Sequence, residues 1–304
     1  MQQVLDELLQ LGVRDVRLEE PLSRHTTWKV GGPADLFVHP RTEEELQNTI
    51  SVLHQRTIPW IAIGRGSNLL VRDGGIRGAV IKISDGFDQL AIDGTRLTVG
   101  GGYSMVRLAT YVARQGLAGL EFAGGVPGNV GGAVYMNAGA HGSEISAILE
   151  SAVILDETGR KHTLEKDEMN FSYRTSILQN ELHGIVTAAT FQLSEGNRTE
   201  ITDRLSRFKN RRRETQPLQH PCAGSVFRNP PHTHAGKLIE EAGLKGYQIG
   251  GAQISELHGN FIINCGDAKA DDIQEMINFI KKEIYKRTQI ELIPEVKMIG
   301  EEKK

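Results

Sequence analysis

Apolar positions in the first part of the chain come in short blocks whose spacing switches between helix and strand. Val4, Leu5, Leu8, Leu9 and Leu11 recur at helical intervals and predict a short helix within residues 1–20. Thr42 followed by Glu43, Glu44 and Glu45 has the look of a capping box, with Leu46, Ile50 and Leu53 as the buried stripe of the helix it opens. PWIAIG (59–64), GAVIKI (78–83) and RLTVGGG (96–102) read as buried strands, and Met105, Leu108, Ala109, Val112 and Ala113 return to helical spacing. Further on, SAVILD (151–156), GRKHTL (159–164) and GIVTAATFQL (184–193) resemble antiparallel strands with polar turns. Ile201, Leu205 and Phe208 lie on one face of a helix in GNRTEITDRLSRFKNRRRE. Helices from His234 to Ala242 and from Ala270 to Arg287 flank the strand NFIIN (260–264). The last strand, IELIPEVKMIG, carries Pro294 at its centre, which suits an edge strand or a bulge. Strands mixed with helices in this order predict an α/β or α+β layer.

Two segments break the periodicity. HTTWKVGGPADLFVHP is a strand entry interrupted by Gly31, Gly32 and Pro33. EFAGGVPGNVGGAVYMNAGAHG (121–142) holds seven glycines, too many for a stable helix and in too apolar a setting for a linker. Composition changes this picture little. With 304 residues the chain can form two or three domains, and its formal net charge of −3 sets up no field that recruits nucleic acid or an anionic membrane. An anionic substrate must therefore meet a local basic patch. Cys222 and Cys265 form no Cys-x-x-Cys pair, which argues against a disulfide framework or a zinc site. The N-terminus lacks the basic and apolar regions of a signal peptide, and no run of eighteen apolar residues occurs. A soluble cytoplasmic protein is expected.

The candidate chemistry starts at IGRGSNLLV (63–71). Gly64, Arg65, Gly66, Ser67, Asn68 and Leu69 follow a strand directly, and free backbone N–H groups with Ser and Asn side chains can solvate a phosphate without a lysine. The segment has neither the third glycine of a dinucleotide fingerprint nor the Gly-Lys-Ser/Thr of a triphosphatase. A pair of such loops, at 64–69 and 124–142, suits a ligand with two phosphates and a long body; both being ordinary tight turns is the competing reading.

GRGSNLLV followed by FAGGVPGNVGGAVYMNAGAHG resembles the flavin-binding half of the FAD-linked oxidase superfamily. More narrowly, YRTS (173–176), AGSVFRNP (223–230) and IPEVK (293–297) resemble the three catalytic segments of the UDP-N-acetylenolpyruvoylglucosamine reductase family, in the family's order and over nearly the whole chain. No tyrosine lies between Arg174 and Ser225, so the chain resembles the shorter type that lacks an inserted tyrosine loop. The resemblance implies an α+β fold: a two-part FAD-binding module (residues 1–84, rejoined by a strand within 290–304, and 85–196) and a C-terminal substrate-binding domain (197–289). It implies noncovalent FAD, NADPH as reductant, and reduction of the enolpyruvyl ether of UDP-N-acetylglucosamine to UDP-N-acetylmuramate in cytoplasmic peptidoglycan precursor synthesis. It places the cofactor against Gly64–Leu69 and against Gly124, Gly125, Pro127, Gly128, Gly131, Gly132, Asn137, Ala138 and Gly139. No membrane or nucleic-acid partner is implied, and the chain is expected to be a monomer or weak oligomer.

The same resemblance assigns Arg174 to grip the substrate carboxylate and Ser225 to donate a proton. It sets Glu295 beside the same oxygens, and Arg213 and Asn229 on the nucleotide sugar. Taken singly, Arg174 reads equally as a surface ion-pair residue, Ser225 as a turn serine and Glu295 as a solvated edge charge. Gln253, Glu256, His258 and Asn260 form a polar cluster that either lines the pocket or has no ligand role. His232 and His234 have no nearby metal-ligating partner, so no metal is expected. His141 leaves open another flavin oxidase acting on a sugar or hydroxy acid, since such enzymes often bond flavin covalently; a binding protein without turnover is the further alternative.

Overall fold

The structure, a computed structural model, describes residues 1–303. The chain forms two compact units: Met1–Leu18, Leu36–Arg65 and Gly78–Arg211 make the first, and Glu19–Asp35, Gly66–Arg77 and the chain from Arg212 onward make the second.

In the first unit, α-helix Gln2–Gln10 covers less of the N-terminal stretch than its spacing suggested, because the chain turns at Gly12 (φ 86°) into a strand from Val16 to Pro21. Helix Glu43–Gln55 starts at Thr42, whose side chain accepts from the Glu45 N–H at 3.1 Å. The Glu45 carboxylate returns to the Arg41 N–H at 2.8 Å, one residue earlier than a capping box requires. Strands Trp60–Ile63 and Ile76–Lys82 pair in parallel, with Ile63 opposite Lys82. Helices Gln2–Gln10 and Glu43–Gln55 bury Val4, Leu8, Leu46, Ile50 and Leu53 in one core with Ala79 and Ile81.

A five-stranded antiparallel sheet follows in the order Lys161–Glu165, Leu149–Asp156, Gly184–Gln192, Arg96–Gly100, Leu90–Asp93. Helix Met105–Arg114 presents Met105, Leu108, Ala109, Val112 and Ala113 to Leu97, Val99, Ala189 and Phe191 of this sheet, as the helical spacing predicted. The glycine-rich segment does form helix: a 3-10 turn over Glu121–Gly125 and an α-helix over Val130–Tyr135. Gly131 explains why a six-residue helix survives there, since a Cβ on it would sit 3.1 Å from the Val186 oxygen and 3.2 Å from the Gly101 oxygen. The helix therefore packs its backbone directly on the sheet, and dense tertiary contact overrides poor propensity.

The second unit is built on helix Ala270–Thr288, which buries Ile273, Met276, Ile277, Ile280 and Ile284. Beside it lie helix Ala235–Glu241 and the three-stranded antiparallel sheet Gln248–Ile249, Ala252–Ile254, Ile262–Asn264. Trp28, wholly buried, donates from Nε1 to the Ile262 oxygen at 2.7 Å, and Asn264 Nδ2 donates to the Trp28 oxygen at 2.9 Å. The C-terminal strand is shorter than its sequence suggested. Only Lys297–Ile299 forms a ladder, parallel to Leu69–Val71, while Pro294 makes an isolated bridge to Phe227. Proline has no N–H to give a ladder.

Trp28→Phe keeps an aromatic ring but orphans the Ile262 carbonyl. We expect equilibrium denaturation to show a loss of about 1–3 kcal/mol from that carbonyl alone; an unchanged midpoint would show that the indole bond contributes nothing.

Candidate active site

The first glycine loop leaves strand Trp60–Ile63 at Gly64. Its glycines differ in purpose. A Cβ on Gly64 would make ordinary contact with Asn129 at 3.5 Å. Gly66 has φ 66°, and a Cβ there would land on the His25 carbonyl oxygen, so no other residue fits. Thr27 N–H donates to the Gly66 oxygen at 3.2 Å. Asn68 is tied to the C-terminal segment: its Nδ2 donates to the Glu295 oxygen at 3.2 Å, and its carbonyl accepts from Lys297 N–H at 3.0 Å.

In the first unit a cavity of about 310 Å³ opens beside Gly64 and Arg65, lined also by His39, Lys82, Ser84, Asp85 and Asn129. His39 Nε2 lies 2.7 Å from Ser84 Oγ, and its Nδ1 lies 3.3 Å from Asp15 Oδ2. Burial, then the Arg41 charge, hold the His39 imidazole below its ordinary pKa, so it is neutral at pH 7. Burial also pushes Lys82 down, opposed by the Asp85 carboxylate. Two cationic side chains, a hydroxyl and an amide against one carboxylate make a donor set suited to an anion with a polar body. His39, Lys82, Ser84 and Asp85 were missed from sequence. The legible signal was Lys82, a lone cation ending an apolar strand that pairs with the strand feeding the loop. A larger hollow of about 580 Å³ is edged by Glu150, Glu165 and Asp167, which does not suit an anion.

The second glycine segment spends many of its N–H groups internally. Val130 donates to Tyr103, Gly131 to Gly101, and Gly128 to Val126. Gly124 lies against Leu205, whose side-chain end would have to shift to admit a Cβ there. Gly132 faces open space. Asn137 is wholly buried at φ 42°; its Nδ2 donates to the Ser172 oxygen at 3.0 Å and its Oδ1 accepts from Ser146 N–H at 2.9 Å. Its side chain thus locks the segment to the loop that carries Arg174. His141 is exposed and stacks on Phe208 with ring centroids 4.0 Å apart.

Arg174 sits in a tight turn closed by reciprocal hydrogen bonds between Ser172 and Thr175, and it adopts φ 58°. A non-glycine residue in that region is strained, a feature that concentrates at functional positions. Its guanidinium donates to the Gly139 oxygen at 2.8 Å and lies over the Tyr173 ring, 4.9 Å from its centroid. A Cβ on Gly139 would stand 3.2 Å from Arg174 Nη1, so the glycine leaves room for the cation.

Ser225 and Glu295 both belong to the second unit. The stretch Val226–Arg228 is hydrogen-bonded along two edges. On one, Glu295 N–H donates to the Val226 oxygen at 2.7 Å and Arg228 N–H to the Ile293 oxygen at 2.9 Å. On the other, Asn260 takes over: its carbonyl accepts from Val226 N–H at 2.9 Å, its Oδ1 accepts from Phe227 N–H at 2.9 Å, and its Nδ2 donates to the Phe227 oxygen at 2.8 Å. Ser225 and Glu295 thereby flank one peptide. Gly224, at φ 77°, delivers the chain to Ser225. Buried Arg228 Nε has no hydrogen-bond partner among the described residues. Asn229 Oδ1 accepts from the Ala235 N–H at 3.1 Å, capping the next helix. Arg213 is exposed on helix Arg198–Thr215, whereas Arg212 is half-buried and donates from Nε to Gln216 at 2.7 Å. Burial raises the Cys222 thiol above its ordinary pKa, which makes it a packed thiol rather than a reactive thiolate.

Comparison with known proteins gives the same two regions a family. Residues 34–165 match the model described as FAD binding domain, and residues 216–299 match UDP-N-acetylenolpyruvoylglucosamine reductase, C-terminal domain. The chain is 55% identical over 300 residues to UDP-N-acetylenolpyruvoylglucosamine reductase of Anoxybacillus flavithermus, covering 99% of each. To the enzyme of that name from Bacillus licheniformis it is 55% identical over 303 residues, covering 100% of each. The crystal structure of UDP-N-acetylenolpyruvylglucosamine reductase from Thermus caldophilus superposes with a TM-score of 0.81 at 36% identity, over 94% of this chain and 98% of that one. A berberine bridge enzyme variant shares the fold alone, with a TM-score of 0.51 at 15% identity over 64% of this chain and 44% of its own. The mixed α and β architecture, the FAD-binding part and the C-terminal part are those the sequence motifs implied. No helix among the described residues is long and apolar enough to cross a membrane. The chain belongs to the UDP-N-acetylenolpyruvoylglucosamine reductase family.

Proposed function

We propose that this protein reduces UDP-N-acetyl-3-O-(1-carboxyvinyl)glucosamine to UDP-N-acetylmuramate with NADPH and noncovalent FAD, in cytoplasmic peptidoglycan precursor synthesis. The observation that supports the assignment of its residues is the hydrogen bond from Glu295 N–H to the Val226 oxygen at 2.7 Å, which pairs the segment of Glu295 with the residue that follows Ser225.

FAD fits the first unit. The cavity at Gly64 and Arg65 supplies Lys82 and Ser84 beside the loop, which suits a pyrophosphate, and Gly132 leaves a backbone face open. Held there, FAD would supply the hydride chemistry that links NADPH to the substrate. The chain's own groups do the rest. Arg174, held by the Gly139 carbonyl, grips the substrate carboxylate with its planar fork and stabilises the charge that hydride addition to the terminal methylene carbon leaves on the neighbouring carbon. Ser225 gives its hydroxyl proton to that carbon, which completes the C–H bond; an enolate dianion is basic enough to take it. The family resemblance puts Glu295 at the same oxygens, in the segment bonded to the residue after Ser225. Arg228 adds an unsatisfied N–H and Arg213 an exposed cation, both suited to the anionic nucleotide sugar.

NADPH oxidation should depend strictly on the enolpyruvyl nucleotide. In stopped flow, Ser225→Ala should leave flavin reduction by NADPH intact and slow reoxidation by substrate about 10²–10⁴-fold; equal loss of both half-reactions rules out the proton-donor role. Acid precipitation should release the flavin into the supernatant, whereas colour kept in the pellet would favour the covalent type of oxidase.

Lys82→Met should weaken FAD binding to apoprotein about tenfold or more, the worth of one charge-assisted hydrogen bond. Fluorescence titration with riboflavin should show no such loss. Parallel losses for FAD and riboflavin would take Lys82 out of the phosphate site.

A further inference from the structure

The proposed chemistry uses neither Asn260 nor His258, yet both are tightly built into the segment that carries Ser225. We propose that Asn260 is a positioning residue for the Ser225 proton donor: its side-chain amide holds the Phe227 peptide, and through it Ser225, in place against Glu295. The inference rests on the proposed reduction.

Asn260 is 4% exposed, and burying a carboxamide costs stability unless its polar atoms are bonded. Every one is. Oδ1 and Nδ2 both close on Phe227, the backbone carbonyl takes Val226 N–H, and the backbone N–H donates to His258 Nδ1 at 3.1 Å. A buried apolar residue would fill the space but leave the Phe227 N–H and carbonyl unpaired, and Phe227 is itself 1% exposed. The opposite edge cannot compensate. Its two bonds bracket the non-hydrogen-bonded pair Phe227–Pro294 and go to Val226 and Arg228, so the Phe227 N–H and carbonyl point away from it. The amide thus replaces a missing strand at the peptide two residues from Ser225.

His258 completes the device. Its Nδ1 accepts from the Asn260 N–H, which requires a neutral imidazole, and burial holds its pKa down against the Glu240 charge. Its ring lies close to Gly236, where a Cβ would come within 2.9 Å of Cε1, and tilts against Phe261 at 4.8 Å between centroids. The ring thus meets the Gly236 backbone and Phe261, and Asn260 is bonded both to Phe227 and to His258.

The test compares half-reactions in the FAD-loaded enzyme. Asn260→Ala should slow reoxidation by the enolpyruvyl nucleotide about 10- to 100-fold, the cost of misplacing a reacting group by a fraction of an ångström to one ångström. Flavin reduction by NADPH and FAD content should stay at wild-type values. The solvent deuterium isotope effect on reoxidation should rise as proton delivery becomes limiting. Asn260→Asp keeps the size and the acceptor but loses the donor toward the Phe227 oxygen; it should show the same split, and it carries the test where the alanine variant does not fold. In a Ser225→Ala background, either change should add almost nothing, because both act on one step. Losses that add to those of Ser225→Ala, or that fall equally on both half-reactions, would overturn the positioning role. Wild-type enzyme that shows no substrate-dependent NADPH oxidation would sink the proposed reduction instead, which separates the two failures.

Discussion

The two hydrogen bonds between the Asn260 carboxamide and the Phe227 peptide govern what the second unit can present. Without them a buried peptide would lack partners on one edge, and the opposite edge cannot supply them, because its bonds go to Val226 and Arg228. With them, the chain from Ser225 to Arg228 behaves as a short bar fixed along its length. Glu295 is attached to that bar by its backbone, so the attachment does not use its carboxylate. The same economy recurs at Asn68, whose side chain reaches the Glu295 carbonyl. A loop expected to serve a ligand is thus a structural anchor for a residue expected to serve catalysis.

Glycine has three distinct uses here. At Gly66 the reason is conformation and close approach to His25; at Gly124 and Gly131 it is packing of one backbone on another element; at Gly132 it is an open face. Only the last is not explained by packing. The protein gains a rigid floor from the packed glycines, and rigidity under a flexible, extended cofactor limits the number of ways it can be held. Arg174 shows the same principle in a side chain. Its strained backbone and its bond to Gly139 fix the guanidinium in advance, so little side-chain entropy would be lost in the carboxylate grip proposed for it.

Much of this was legible from residue order. Helical spacing found Met105–Arg114 and Ala270–Thr288, and four of the five strands of the antiparallel sheet were read, because one buried face imposes a period on each; Leu90–Asp93, which buries no side chain, was missed. Long motifs found the segments of Arg174, Ser225 and Glu295. The helix Val130–Tyr135 was not legible, since propensity argues against it and only contact with Val186 and Gly101 justifies it. Lys82 and His39 were missed because each stands alone in its segment, and the sheet register brings them beside Gly64. Asn260 was visible as a polar residue at the start of an apolar strand. Its purpose was hidden, because the peptide it holds lies 33 residues earlier.

The parallel pairing of Lys297–Ile299 with Leu69–Val71 joins residues that leave the ribosome far apart in time. Through most of translation the strand after the first glycine loop has no partner on that side, and the loop lacks the contact between Asn68 and Glu295. The first unit, with its chain complete at Arg211, can mature while synthesis continues. That edge of the second unit closes only when Lys297–Ile299 has been made, and a nascent chain stalled before it would display Leu69–Val71 as an unprotected strand edge.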